Sequence, residues 1–348
     1  MNFRIGDLIV GKDQPCFIIA EMSGNHGGNL DRAIEIVRAA AASGANALKL
    51  QTYTADTITL NCDLPDFQIS SGPWASHQRM WDLYKVAHTP WEWHEPIFTE
   101  ARRLGLEVFS SPFDESAVDF LESLGATAFK IASPEINHIP LLKKVASTGK
   151  PVILSTGLAQ LSDIELALSA LRNNGAKDIA LLKCTTAYPA PFNEMDLLTI
   201  ADFGERFEVV PGLSDHSMGT AVAVAATALG AKIIEKHFTL GGKENTVDSF
   251  FSSDKQEFAR LVTDIRTVEQ ALGRINYDIT PSARENLHGM RSLYISSPVL
   301  AGEKLSSSNV RCVRPALGLH PRHYDEVLGR VVKRNLFPGE RLQLEDLE

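Results

Sequence analysis

The sequence predicts an α/β fold, a parallel (β/α)8 TIM barrel followed by a small C-terminal β-rich unit. Three observations carry this prediction. Short apolar runs rich in β-branched residues recur eight times, segments of helical period separate them, and the composition shifts after about residue 272.

The strands fall in order at CFIIAE (16–21), ALKLQTY (47–53), EVFSSPF (107–113), AFKIAS (128–133), PVILST (151–156), IALLKCTT (179–186), VVPGLSD (209–215) and AKIIEKHF (231–238). They are nearly continuous in apolar character, as strands buried on both faces must be. Helical segments such as NLDRAIEIVRAAAASG and SDIELALSALRNNG end in glycine, which serves as a C-terminal cap. A rhythm of helix, Gly-Ala and strand repeats in SGANALKL, LGATAFKI, NGAKDIALL and LGAKIIEK. Eight such units fit a closed barrel better than an open doubly wound sheet. No GxGxxG opens a helix after the first strand, which counts against a dinucleotide-binding fold.

One insertion, residues 54–91 with SGPW and HTPWEWH at its end, is too long for an ordinary connection and too aromatic for a disordered one. The expected division is a barrel over 1–275, a linker over 276–290 and a second unit over 291–348. In the last of these, Gly302-Glu303-Lys304-Leu305 is echoed by Gly339-Glu340-Arg341-Leu342. A module of about 60 residues has a thin core and is expected to lean on another surface.

Composition narrows the function. A net charge of −9 argues against a general nucleic-acid or membrane-surface binder. The Ala-rich stretch MGTAVAVAATALGAKII is too short to span a bilayer. The four cysteines have no metal-type spacing, so they are expected to be reduced thiols, with Cys16 and Cys184 buried. A cytoplasmic protein is expected.

Working residues of such a barrel sit at the C-terminal strand ends. These ends offer Glu21, Lys49, Gln51, Ser110, Ser111, Lys130, Ser133, Glu135, Ser155, Thr185, Thr186, Tyr188, Ser214, His216, Glu235 and His237. Lys49 and Gln51 share a face because strand side chains alternate. Two inward lysines need counter-charge. Glu21, Glu135 or Glu235 could supply it, but the surrounding hydroxyls suit a phosphate-carboxylate ligand better. His216 and His237 follow successive strands at matching depth, a pattern that suits an open divalent metal site. His26 is a weaker third candidate whose expected role is to bond backbone.

The ordered motifs FIIAEMSGNHGG, LKLQTY, FSSPF, FKIASPE, ILSTG, GLSDHS and IEKHF resemble the sialic acid synthase family, which condenses phosphoenolpyruvate with an amino sugar to give nonulosonic acids. The C-terminal unit, with VRPALGLHP, resembles that family's antifreeze-like (SAF) domain. LKLQTYTADTITL, SGPW, TPWEWH, LKCTTAYP and RSLY point to the pseudaminic branch. Ser111 and Thr186 stand where N-acetylneuraminate synthases typically carry Thr and Asn, and SPE at 133–135 resembles spore-coat polysaccharide synthases.

The resemblance implies that phosphoenolpyruvate is held by Lys49, Ser111, Lys130, Ser133, Ser155, Thr186 and Ser214, and a divalent metal (Mn2+, Co2+ or Mg2+) by His216 and His237. Glu21, Gln51, Tyr188 and Asp248 would meet the sugar, with Glu135 near the reacting centre. Either Glu21 or Glu135 would be the base. Arg314 would reach an N-acetyl group in a partner's barrel, which implies a domain-swapped homodimer. Legionaminate, N-acetylneuraminate and spore-coat synthases are the alternatives within the family. Outside it stand a Schiff-base aldolase using Lys49 or Lys130 and a non-catalytic sugar-binding protein.

Overall fold

The computed structural model describes residues 1–241 and 246–348. The chain divides into two compact units, Met1–Gly273 and Arg274–Glu348.

The first unit opens with a hairpin that the sequence reading did not anticipate, β1 (Asn2–Ile5) and β2 (Leu8–Gly11). Each strand is four residues long, too short to announce itself by alternation. Phe3, Ile5 and Val10 nevertheless bury into the barrel's core cluster, and the Asp7 amide donates to Glu107 Oε1 at the start of a barrel strand. The hairpin therefore seats at the N-terminal end of the barrel, opposite the strand ends that matter for chemistry.

The eight barrel strands are β3 (Phe17–Glu21), β4 (Ala47–Thr52), β5 (Glu107–Pro112), β6 (Phe129–Ile131), β7 (Val152–Ser155), β8 (Ile179–Cys184), β9 (Val210–Asp215) and β10 (Ile233–His237). All pair in parallel, and β10 closes onto β3. Between them run α1 (Leu30–Ala42), α2 (Ala55–Ile58), α3 (Met80–Ala87), α4 (His94–Arg103), α5 (Glu115–Ser123), α6 (Ile139–Ser147), α7 (Leu161–Asn173), α8 (Thr199–Phe207) and α9 (Ala221–Ala228), with α10 (Lys255–Leu272) last. Local chemistry sets these helices. Asn29 caps α1 by accepting from the Arg32 amide, and Asp114 caps α5 from Ser116 and Ala117. Asp254 and Glu257 form a reciprocal capping box on α10. Gly44 and Gly175, at φ 85° and 110°, end α1 and α7 in the conformation that a side chain would resist.

The long insertion between β4 and α4 is not a bare loop. It folds as α2, two 3-10 turns and α3, and its aromatic rings anchor it. Trp81 Nε1 donates to Asp56 Oδ1, and Trp91 stacks on Phe120 at 4.6 Å between centroids.

In the second unit, the stretch read as a linker carries the short helix α11 (Pro281–Arg284), and β11 (Ser292–Ile295) then pairs antiparallel with β12 (Val310–Val313). A short helix, α12 (Tyr324–Val327), follows. The internal repeat is a repeated turn. Glu303 Oε2 accepts from the Leu300 amide and Glu340 Oε1 from the Phe337 amide. Gly302 and Gly339 sit at φ 88° and 89°, and Leu305 and Leu342 both enter the unit's own apolar core.

Candidate active site

The parallel register brings the strand ends to one level. Glu21 pairs with His237 of β10 on one side and Lys49 of β4 on the other, and Glu235 pairs with Ser214 of β9. Side-chain alternation sends Lys49, Lys130, Ser214 and Glu235 into the barrel interior, where they meet. Lys49 Nζ lies 2.8 Å from Glu21 Oε2, 3.7 Å from Glu235 Oε1 and 3.3 Å from Ser111 Oγ. Lys130 Nζ lies 3.7 Å from the same Glu235 oxygen and donates to Ser155 Oγ at 2.6 Å. Ser214 Oγ donates to that oxygen at 3.1 Å.

The two lysines thus already have internal counter-charges, supplied by Glu21 and Glu235 and not by Glu135. The sequence reading had favoured an external anion. Glu235 Oε2 is buried without a hydrogen-bond partner among the described residues. Burial opposes charge on Lys49, but Glu21 and Glu235 outweigh it and hold the ammonium above its ordinary range. For Lys130 burial wins, and its pKa falls despite Glu235. Burial works against the Glu235 carboxylate too, but the two lysines hold its pKa below the usual value.

Beside this pocket the β7 end forms a cradle. The Gly157 amide donates to Ser133 Oγ at 3.0 Å. A Cβ at Gly157 would stand 2.1 Å from Thr186 Oγ1, 2.9 Å from Ser133 Oγ and 3.0 Å from Cys184 Sγ. Only glycine leaves that hollow open.

Across the mouth, the His216 and His237 rings lie with centroids 5.3 Å apart. His216 Nδ1 donates to the Thr185 carbonyl at 3.1 Å; burial opposes charge on the ring, but the hydrogen bond with Cys184 prevails and raises its pKa, and in the neutral form its other nitrogen carries the lone pair. Cys184 Sγ lies 3.8 Å from that Nδ1. Burial raises the Cys184 thiol, but its hydrogen bond with His216 prevails and brings it to about 7. His237 carries a buried Nδ1 without a hydrogen-bond partner among the described residues, 4.0 Å from Asp248 Oδ2. Burial and the neighbouring His216 drive its pKa well down, which keeps it neutral. Two imidazoles bound to one ion at about 2.1 Å hold their centroids roughly 5 Å apart, so the pair fits a divalent cation. Among the described residues no group of three or more His, Cys, Asp and Glu could hold a metal.

Around this core, Gln51 Nε2 donates to Glu21 Oε1 at 2.9 Å and to Ser23 Oγ at 3.1 Å, and Ser23 donates to Asp248. Glu135, on the turn after β6, has a buried Oε2 without a partner among the described residues, and burial raises its pKa to about 7. Tyr188 lies against His216 at 4.5 Å, and Trp74 from the insertion lies against Tyr188 at 5.2 Å. The site residues read from the barrel sequence lie at this mouth except Ser110, whose hydroxyl meets Thr52 Oγ1 at 2.6 Å on the strands' other face, beside His94; Arg314 follows β12 in the other unit. His26 stands apart, accepting from the Gly28 amide and meeting Thr89, as a backbone-bonding histidine would. The sequence reading did not assign Cys184 or Ser23 to the site, and it offered Glu235 as a strand-end residue and possible counter-ion without a further role.

Residues 36–277 match the model of the NeuB family and residues 290–348 that of the SAF domain. The chain is 42% identical over 334 residues to the pseudaminic acid synthase of Campylobacter jejuni subsp. jejuni serotype O:23/36, covering 96% of this chain and 97% of that one. It is 41% identical to the pseudaminic acid synthase of Helicobacter pylori, covering 96% and 98%. The crystal structure of N-acetylneuraminic acid synthetase from Leptospira borgpetersenii in complex with citrate superposes with a TM-score of 0.73 at 30% identity, covering 82% of this chain and 95% of that one.

Proposed function

The chain belongs to the NeuB family of phosphoenolpyruvate-dependent nonulosonic acid synthases, and from that premise we propose that it makes pseudaminic acid. Its substrates would be phosphoenolpyruvate, 2,4-diacetamido-2,4,6-trideoxy-L-altrose and water, and its products pseudaminic acid and phosphate. The observation that carries this reading is the juxtaposition of the His216–His237 pair with the pocket of Lys49, Lys130 and Glu235.

In this reading Lys49, Lys130, Ser111, Ser133, Ser155, Thr186 and Ser214 take the phosphate and carboxylate of phosphoenolpyruvate, and the Gly157 hollow admits one of its oxygens. His216 and His237 hold a divalent ion (Mn2+, Co2+ or Mg2+), which supplies Lewis acidity toward the sugar's aldehyde oxygen. Glu21, Gln51 and Asp248 orient the sugar's polar groups, and Tyr188 with Trp74 walls its apolar edge.

C3 of the enol bonds to the aldehyde carbon, whose C=O π pair passes to the oxygen as an alkoxide that takes up a proton, and cationic character develops at C2. Glu135 takes a proton from the water that adds at C2, and the tetrahedral carbon then expels phosphate by C–O cleavage. Glu135 suits this role better than Glu21. Its carboxyl is poised near neutrality with a free oxygen, whereas Glu21 is committed to Lys49 and Gln51. The pairing of Lys49 also disfavours a Schiff base on that residue, because Glu21 and Glu235 outweigh burial and hold its ammonium above the ordinary range.

Arg314 is assigned to the sugar's N-acetyl group in a partner's barrel, within a domain-swapped homodimer. Two features support this. The C-terminal unit has a core of ten buried apolar residues, and the segment that opens it exposes Ile275 and Tyr277 at 91% and 97%, which a second chain could cover. No helix of the described residues is long and apolar enough to cross a membrane.

The test is phosphate release from phosphoenolpyruvate across a panel of amino sugars, with and without divalent metal. Release with the altrose substrate, abolished by chelator and restored by metal, is expected. Equal release with N-acetylmannosamine or with the legionaminate precursor would move the product to another branch. Release insensitive to chelator would overturn the metal assignment.

A further inference from the structure

Behind the two histidines lies a second charged pair that the chemistry above does not use. Lys236 and Asp215 are both buried, with side-chain exposures of 2% and 0%, and Lys236 Nζ lies 2.7 Å from Asp215 Oδ2. Strand alternation puts them on the barrel's outer face. Lys236 shares parity with Phe238, which packs against Phe258 of α10, while Glu235 and His237 face the interior. The two residues are register partners between β9 and β10. Each immediately precedes one of the facing histidines, Asp215 before His216 and Lys236 before His237.

The remaining bonds of the pair go to the turn that carries His216. Asp215 Oδ1 accepts from the Ser217 amide at 2.9 Å and from Ser217 Oγ at 2.6 Å. Lys236 Nζ also donates to the Ser217 carbonyl. Asp215 thus closes the 215–217 turn on itself, and the two bonds of Lys236 tie that turn to β10.

A buried ion pair contributes little net stability, since desolvation offsets the Coulombic gain. What this one does supply is a fixed distance. We infer that the Asp215–Lys236 pair is a positioning device that sets the separation and orientation of the His216 and His237 rings, and through them the affinity for a divalent cation. The inference rests on the reading of those histidines as metal ligands. Asp215 and Lys236 touch neither substrate nor ion; they act through the two strand ends.

Electrostatics and positioning make opposite predictions for Lys236→Met. Removing a positive charge near a cation site should tighten binding if only the field mattered. If the pair positions the rings, the affinity should fall by roughly 10- to 100-fold, the usual effect of losing an orienting partner behind a metal ligand. Titration of the full-length protein, stripped by chelator, with Co2+ reads this directly, by calorimetry and by the visible absorption of the bound ion.

The double variant D215L/K236M leaves no buried charge unpaired and changes no net charge. It carries the test if the single variant does not fold. Weaker Co2+ binding with an altered spectrum in a folded variant supports the inference. Wild-type affinity and spectrum in either folded variant overturn it. A wild-type protein that binds no Co2+ overturns the metal reading itself, so the two failures are distinguishable.

Discussion

Glu235 and Lys130 face each other across the barrel interior, with Oε1 3.7 Å from Nζ, and the same oxygen stands 3.7 Å from Lys49 Nζ. One carboxylate thus serves two buried cations that come from different strands. Lys49 has a second anion in Glu21 at 2.8 Å, whereas Glu235 is the one carboxylate paired with Lys130 among the described residues. The pocket is charge-balanced before any substrate enters.

Glu235→Gln keeps the shape and removes the charge. It leaves Lys130 buried without an ion-pair partner, which should cost about 3 kcal/mol of stability. Phosphoenolpyruvate would bring the missing anion back. The increase in melting temperature on adding phosphoenolpyruvate should therefore be larger in the variant than in wild type, measured by calorimetry at fixed ligand concentration. An equal increase in both would mean that the anion binds elsewhere.

Glu135 makes the pH dependence predictable. Burial raises its carboxyl to about 7, and a base must be ionised, so kcat/KM should rise with pH through an apparent pKa near 7. Glu135→Gln should lower kcat by about 100- to 10,000-fold and remove that limb, while Glu21→Gln should leave the limb in place. Stability runs the other way. A carboxyl whose folded pKa is raised favours the folded state fully below its unfolded value, and the contribution is lost as pH rises through 7. Glu135→Gln should therefore gain stability relative to wild type at pH 8 and not at pH 4, which denaturant titrations at the two pH values would check.

How much of this was legible beforehand depended on whether one strand or two had to be known. The parity of Lys49 with Gln51, and the placing of His216 and His237 after successive apolar runs, follow from single strands, and the barrel geometry then puts them at one mouth. Which of three glutamates reaches the lysines does not follow in this way, because β6 and β10 meet only across the closed barrel. The Asp215–Lys236 contact needs the β9–β10 register, which a sequence does not state. Cys184 read as an ordinary buried thiol because its environment, His216 Nδ1 at 3.8 Å, comes from the next strand. The hairpin of β1 and β2 was missed for a simpler reason. Four-residue strands carry too little periodicity to be distinguished from irregular chain.

Gly157 should be intolerant of even the smallest side chain. Its backbone is not in the left-handed region, so Gly157→Ala introduces no torsional strain, only a methyl group 2.1 Å from Thr186 Oγ1. The overlap must push Thr186 or Ser133 aside, and both are assigned to phosphoenolpyruvate. The KM for phosphoenolpyruvate should rise by about tenfold or more, the equivalent of one lost hydrogen bond to a charged group, with little change in the KM for the sugar. Steady-state kinetics with each substrate varied in turn would decide it, and an unchanged KM for phosphoenolpyruvate would remove Gly157 from the anion site.

Trp74 is a tryptophan of the insertion whose ring contacts lead to the mouth. Its ring lies 5.2 Å from Tyr188, which in turn lies 4.5 Å from His216, while Trp81 and Trp91 are engaged within the insertion or against α5. Trp74 Nε1 also donates to the Val247 carbonyl at 2.9 Å, next to Asp248. The ring therefore both faces the side proposed for the sugar and fixes the segment that bears a proposed sugar contact. Trp74→Ala should raise the KM of the amino sugar by about 10- to 100-fold, the value of an aromatic face and one hydrogen bond together, and leave that of phosphoenolpyruvate unchanged. Trp91→Ala should lower the melting temperature with little effect on either KM, because its ring stacks on Phe120 away from the mouth. If Trp74→Ala raised both KM values equally, the insertion would be a support for the whole barrel mouth and the sugar's apolar wall would have to be sought in Tyr188 and Phe251.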